Sequence, residues 1–280
     1  MNDKYVMYLK GSKKSERTID TYCTYVNRFL AFINKPEIEA NMEDLIVYEG
    51  SIAHLSNATI ALHINSIKSY YKFLKKIGDI EVNPYEEAET PKINNKQKYY
   101  MTSDDVRLLI DNAGSAKTKA IIATVASTGL RMSEMANITI KQYEDMKRYG
   151  NRNIIITGKG DKERTVFIND MAFSYIEAFL ENKERENKSG LLFEGNRGNI
   201  IDDSSLNRAI KRAAKKAGLP YWEDIGCHQL RAAFATIASE KGVPVATISA
   251  ALGHSSIATT TRYIKNNQDN INNAMNMMQF

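Results

Sequence analysis

The stretch Asn153-Ile154-Ile155-Ile156-Thr157-Gly158-Lys159-Gly160-Asp161-Lys162-Glu163-Arg164-Thr165-Val166-Phe167-Ile168 reads unlike the rest of this chain. Two β-branched runs flank a turn rich in glycine and aspartate, which is the signature of a β-hairpin. Lys159 falls at the tip, where a long side chain reaches out towards a ligand. Helical periodicity dominates on both sides of the hairpin, so the fold class is mainly α with one small β-sheet, an α+β chain.

Downstream, Ser204 to Ala217 forms a helix with two faces. Arg208, Lys211, Arg212 and Lys215 occupy i, i+3, i+4 and i+7, and Leu206, Ile210, Ala213 and Ala217 line the other side. Four cations on one seam without an acidic i+4 partner repel each other by a few tenths of a kcal/mol per pair. An external polyanion removes that cost, so this helix is expected to face DNA. Upstream, Thr102 is placed to cap a helix holding Val106, Leu109 and Ile110, with Asp104 and Asp105 in its first turn.

The first eighty or so residues read as a separate helical module. Ser15 caps a stripe of Ile19, Tyr22, Val26, Phe29, Leu30 and Ile33; a shorter helix covers Met42 to Ala53; a third starts near Ser56 and Asn57, carries Ile60, Ile64, Ile67, Tyr71 and Leu74, and stops at Gly78. Asn83-Pro84 breaks the pattern. The division is therefore a helical domain over 1–84, a linker over 85–99 and a second domain over 100–280. Lys92, Lys96 and Lys98 in the linker are placed to follow a nucleic-acid backbone.

The chain has 280 residues, a net charge of +5 and a pI near 8.9, enough for about two domains and compatible with a nucleic-acid partner. Cys23 and Cys227 have no spacing suited to zinc or to a disulfide framework, and Cys227 reads as a buried thiol. There is no signal-peptide core and no membrane-length apolar run, so the expected location is cytoplasmic.

An ordered set of residues carries the chemistry: Arg131 in T-G-L-R-M-S-E with Glu134 three residues on, Lys159 in G-K-G-D-K-E-R, His228 and Arg231 in H-Q-L-R, His254 in L-G-H-S-S, and Tyr263 in T-T-T-R-Y. Taken singly, each has an ordinary structural reading; Glu134, for example, is a simple i+3 partner for Arg131. Taken together they suit phosphodiester chemistry. A tyrosine attacks phosphorus, arginines match phosphoryl oxygens with forked donors, and lysine and histidine move protons. No carboxylate cluster or Walker-type glycine loop accompanies them, so neither metal nor nucleotide cofactor is expected.

This series of motifs resembles the tyrosine recombinases, the family of lambda-type integrases and Xer resolvases, and the resemblance covers essentially the whole chain. It includes the S-x-x-T-x-x-x-Y start at Ser15, Thr18 and Tyr22. It implies a SAM-like helical core-binding domain and a catalytic domain from about Met101. Arg131 corresponds to the first catalytic arginine with Glu134 as its supporting acid, Lys159 to the hairpin lysine, His228 and Arg231 to the H-x-L-R pair, His254 to the L-G-H-S histidine, and Tyr263 to the nucleophile. Ala232 departs from relatives that carry a second histidine there.

The resemblance further implies cleavage and rejoining of double-stranded DNA at specific sites through a 3′-phosphotyrosine. It also implies a homotetramer linked by a tail helix over about 267–280, whose apolar stripe is Ile271, Ala274, Met275 and Met278. Accessory proteins, the target sequence and the biological outcome stay open. Base-reading side chains are expected near Ser66 to Lys72 and Asn207 to Lys215. A type IB topoisomerase and a non-catalytic DNA-binding protein of the same fold are the competing readings.

Overall fold

The computed structural model describes residues 3–93, 100–158, 162–182, 187–195, 198–254 and 256–261. The chain divides into two compact units, Met1–Gln97 and Lys98–Phe280. Among the described residues no helix is long and apolar enough to cross a membrane.

The first unit holds α1 (Asp3–Gly11), α2 (Glu16–Ile33), α3 (Met42–Ser51) and α4 (Asn57–Ile77). Ser15 and Ser56 cap α2 and α4 by accepting from the amides of Thr18 and Thr59, and Gly78 ends α4 in the left-handed conformation. The core is built from aromatic residues, among them Tyr5, Phe29, Tyr48, Tyr70, Tyr71 and Tyr85. Tyr71 and Tyr85 meet edge to face with ring centroids 4.6 Å apart, a geometry that adds about 1 kcal/mol to simple burial.

Three expectations change here. α1 is an element the periodicity did not announce, and its Tyr5 and Leu9 are buried. The segment after Pro84 is not a free connector at its start, because Tyr85 and Ala88 join the core and Lys68 donates to the Ala88 carbonyl at 2.7 Å. Ser66, Ile67, Tyr70 and Tyr71 face the core as well, which leaves Lys72 as the exposed side chain of the stretch expected to read bases.

The second unit holds α5 (Ser103–Asp111), α6 (Ala116–Thr128), α7 (Met132–Ala136), α8 (Ile140–Tyr149), β1 (Asn153–Thr157), β2 (Glu163–Phe167), α9 (Asp170–Glu181), α10 (Asp203–Lys216), α11 (Cys227–Glu240), α12 (Val245–Leu252) and α13 (Ile257–Thr261). Ala120 to Val125 on α6 are buried on every side, so α6 is the central helix. Small residues let neighbours pack close, and the Thr124 and Thr128 hydroxyls are satisfied by carbonyls one turn back, at 2.7 and 2.6 Å.

β1 and β2 pair antiparallel with Ile154 opposite Val166 and Ile156 opposite Arg164. Ile154, Ile156 and Val166 turn inward, whereas Ile155 and Phe167 are exposed. Gly158 N donates to Lys162 O at 2.8 Å and closes the base of the turn.

Candidate active site

The site is built where α6, α11 and α12 end or begin against each other. α6 stops at Gly129, whose φ of +66° suits glycine. A Cβ there would lie 2.6 Å from Leu252 Cδ2 and 2.7 Å from Phe234 Cδ1, so the position also requires the absence of a side chain. Arg231, on α11, is 4% exposed. Its Nη1 donates to Gly129 O, and its Nη2 donates to Leu252 O at 2.7 Å and to His254 Nε2 at 3.0 Å. A buried guanidinium held by two backbone carbonyls has little rotational freedom left.

Arginine only donates, so Nε2 of His254 is the acceptor in that pair. The proton of the neutral ring is thereby assigned to Nδ1, which donates to Thr260 Oγ1 at 2.8 Å. Burial first, then the nearby charges of Arg231, Arg131 and Arg164, push the His254 pKa down to about 4. The ring is neutral at physiological pH, and its first task here is to aim Arg231.

Arg131 stands at the N-cap of α7. Glu134 lies at the third helical position and its carboxylate folds back to make the acceptor half of a capping box, a guanidinium having no acceptor to offer in return: Arg131 N donates to Glu134 Oε2 at 2.8 Å and Arg131 Nη1 to Oε1 at 2.9 Å. Arg131 Nη2 reaches Gly253 O at 3.3 Å. The Glu134 side chain is 4% exposed while that of Arg131 keeps 36%, so the guanidinium presents an open face. Arg164, on β2, binds the same carboxylate with both terminal nitrogens, at 2.9 and 2.8 Å. Burial opposes ionisation of Glu134, but the hydrogen bonds from Arg164 and from the backbone and side chain of Arg131 outweigh it and hold the pKa at about 2.

His228 is exposed in the first turn of α11, three residues before Arg231. That turn is fixed from below: Cys227 N donates to Asn207 Oδ1 at 2.9 Å, and a Cβ on Gly226 would lie 2.4 Å from the same oxygen. Cys227 itself is buried, its thiol pushed up to about 12 by burial, which makes it inert.

The structure therefore brings Arg131, Glu134, Arg231 and His254 together around the turn at 252–254, with His228 on the adjoining helix. Lys159 and Tyr263 lie outside the described residues, as do Lys96, Lys98 and the tail from 262 onward. Arg208, Arg212 and Lys215 are exposed on α10 and Lys211 is partly so; Lys92 is exposed within the first unit. The sequence reading omitted two residues of the cluster, Arg164 and Thr260. Both stood inside quoted motifs, K-E-R and T-T-T-R-Y, but their partners are set by tertiary contact.

Tyrosines of the first core make poor nucleophiles. Burial raises the pKa of Tyr5, Tyr70, Tyr71 and Tyr85 well above the usual phenol value, and Tyr70 is already engaged with Glu37.

Two arginines held in place, one of them with a partly exposed side chain, and a neutral imidazole bonded to the other form a cationic cluster of the kind that can hold an anionic group. The chain belongs to the phage integrase family, whose model matches residues 99–270, and the model of the phage integrase N-terminal SAM-like domain matches residues 2–79. It is 30% identical over 266 residues to the tyrosine recombinase XerA of Pyrococcus horikoshii, covering 94% of this chain and 88% of that protein. It is 28% identical over 219 residues to the tyrosine recombinase XerC of Lactobacillus delbrueckii subsp. bulgaricus, covering 75% of this chain and 72% of that one. A crystal structure of XerH site-specific recombinase bound to palindromic difH substrate, a post-cleavage complex, aligns with a TM-score of 0.70 at 25% identity, over 88% of this chain and 75% of that one. A lambda integrase fragment matches in fold, with a TM-score of 0.73 at 16% identity and 93% of both chains covered. Tyrosine recombinases are enzymes that break and rejoin DNA, and this chain is one of them.

Proposed function

We propose that this protein is a site-specific recombinase that exchanges DNA strands through a covalent 3′-phosphotyrosine at Tyr263. The observation that carries the reading is the Arg131–Arg231–His254 cluster, in which both guanidinia and the imidazole converge on the turn at 252–254. Arg131 and Arg231 bind the non-bridging oxygens of the scissile phosphate, where charge builds as phosphorus becomes pentacoordinate. Tyrosine has a pKa of about 10 and is almost wholly protonated at neutral pH. His228 takes the phenol proton as Tyr263 Oη bonds to phosphorus, and the bond to the 5′-oxygen breaks as Lys159 protonates that oxygen. Before DNA binds, His254 Nε2 accepts from Arg231 and keeps it aligned; once a phosphoryl oxygen takes that place, the ring proton moves to Nε2 and donates to the oxygen, and Nδ1 accepts from the Thr260 hydroxyl.

The phosphate ester is conserved in the adduct, so a second strand's 5′-hydroxyl reverses the step without ATP. Two rounds on paired duplexes pass through a Holliday junction. We assign DNA backbone contacts to Arg208, Lys211, Arg212 and Lys215 on α10 and to Lys92, Lys96 and Lys98. Residues 1–84 form the core-binding domain, 85–99 the connection and 100–280 the catalytic domain. The tail over 267–280 joins four protomers on DNA, and the protein works in the cytoplasm.

The test is an SDS-resistant protein–DNA adduct on nicked duplexes from DNA flanking the gene, with EDTA present and Tyr263→Phe in parallel. An adduct with the unsubstituted protein only is expected. Specific binding by both proteins with no adduct from either would favour a non-catalytic DNA-binding protein, and relaxation of supercoiled DNA without partner sites would favour a topoisomerase.

A further inference from the structure

We propose that Arg164 is a positioning residue for this reaction: by holding the Glu134 carboxylate in its fork it leaves a net positive charge on the side of Arg131, aimed at the phosphate. The inference rests on the function proposed above and goes beyond it, because the reaction scheme does not use Arg164.

Arg164 is anchored at three points. Its place on β2, opposite Ile156, is fixed by the hairpin register. Its Nη1 and Nη2 grip Glu134 Oε1 and Oε2 at 2.9 and 2.8 Å, and its Nε donates to Ala251 O at 3.0 Å. Its side chain is 13% exposed. The turn carrying His254 packs directly upon it: Gly253 has φ +63°, and a Cβ there would lie 3.3 Å from Arg164 Nη1 and 3.4 Å from Cδ and Cζ. The hairpin base is equally near, since a Cβ on Gly158 would lie 3.5 Å from Glu134 Oε1 and 3.6 Å from Arg164 Nη1. One side chain thus ties together the segments bearing Arg131 and His254 and the base of the hairpin at Gly158.

Charge gives the tie its purpose. Glu134 alone against Arg131 makes a neutral pair, and a carboxylate free to rotate takes a guanidinium bidentately. That would spend the donors and the charge of Arg131 before any phosphate arrives. With Arg164 in the fork, Arg131 gives Glu134 one side-chain bond and its backbone amide, and keeps Nη2 on a longer contact of 3.3 Å to Gly253 O. Two guanidinia against one carboxylate leave a positive charge over, on the side of Arg131 that is open.

The experiment measures single-turnover adduct formation on a nicked duplex with an ordinary scissile phosphodiester, and on the same duplex with a neutral methylphosphonate there. The proteins compared are wild type, Arg164→Gln, Arg164→Lys and Tyr263→Phe, each with DNA affinity and melting temperature measured alongside. Arg164→Gln is expected to slow the phosphodiester reaction by about a hundredfold, the scale of one lost oxyanion contact, with affinity within a few fold. Arg164→Lys, which keeps charge but not the fork, is expected to fall between. On the methylphosphonate, which carries less charge to neutralise, both defects should shrink to a few fold.

Equal defects on both substrates would make Arg164 a structural residue and overturn the proposal, as would full activity in Arg164→Gln. Should Arg164→Gln fail to fold, Arg164→Lys decides by the same ratio. An adduct absent from the wild type on every duplex, or present in Tyr263→Phe, would instead bring down the recombinase reading.

Discussion

Two groups of cations in the second unit use the same charge in opposite ways. Arg131, Arg164 and Arg231 are committed to Glu134, to backbone carbonyls and to His254. Arg208, Arg212 and Lys215 on α10 are exposed; Arg208 donates to the Ser205 hydroxyl and lies near Asp202, and Lys215 sits over the Trp222 ring. The first arrangement costs desolvation and gains aim; the second costs little and attracts a polyanion without fixing where it is held. A committed cation should therefore govern rate, and a solvated one affinity.

The sharpest way to break that contrast is to truncate one member of the committed group. Arg231→Ala is expected to lower single-turnover adduct formation by about three orders of magnitude. It also leaves Gly129 O and Leu252 O without this donor, so the melting temperature should fall. A rate within tenfold of wild type would erase the distinction.

Glu134→Gln probes what the commitment is worth. The carboxyl lies at about 2 against an ordinary 4.5, a gap of about 3 kcal/mol. A depressed acid stabilises the fold above its unfolded pKa and loses that contribution as pH falls through the folded one. Urea midpoints should accordingly decline between pH 4.5 and 2 in the wild type, with that decline flattened in Glu134→Gln. Equal slopes would mean the carboxylate is not held as described.

His254 sharpens the comparison from the side of the base. Its ring should titrate near 4 by NMR, remaining neutral across the working range. For a base lowered on folding, the associated stability is complete above about 6.5 and is lost as pH falls from there through 4. A midpoint near 6.5 would show that neither burial nor the charges of Arg231 and its neighbours act on the ring as described.

The smallest effect belongs to α10. Arg212→Ala should weaken DNA binding by only several fold at moderate salt and reduce the slope of log affinity against log salt by about one. The rate of cleavage within the bound complex should stay the same. A large rate defect there would move α10 into the committed group.

Legibility in the sequence follows the range of the interactions. Caps at Ser15, Ser56 and Thr102 act within three residues and were readable, as was the hairpin, whose pairing is local. α1 was not, because it is nine residues long with only Tyr5 and Leu9 fully buried, and the partial cover of Val6 and Tyr8 comes from packing against the rest of the unit. The segment around Tyr85 and Ala88 mixes proline and charge like a loop, and only the packing of distant rings reveals its burial. In the site, motifs pointed to Arg131, Glu134, Arg231 and His254. Arg164 escaped because its acid partner lies 30 positions earlier in the chain, and a strand pattern says nothing of such a partner.

The shared carboxylate of Glu134 also constrains how such a sequence can drift. A change at 131, 134 or 164 alone carries a cost, since losing either arginine leaves a buried acid with one partner fewer and losing the acid leaves two cations facing each other. A lineage leaving Arg164 behind is expected to pass through a neutral or shorter residue at 134, so the three positions are expected to change together although the last stands 33 positions after the first.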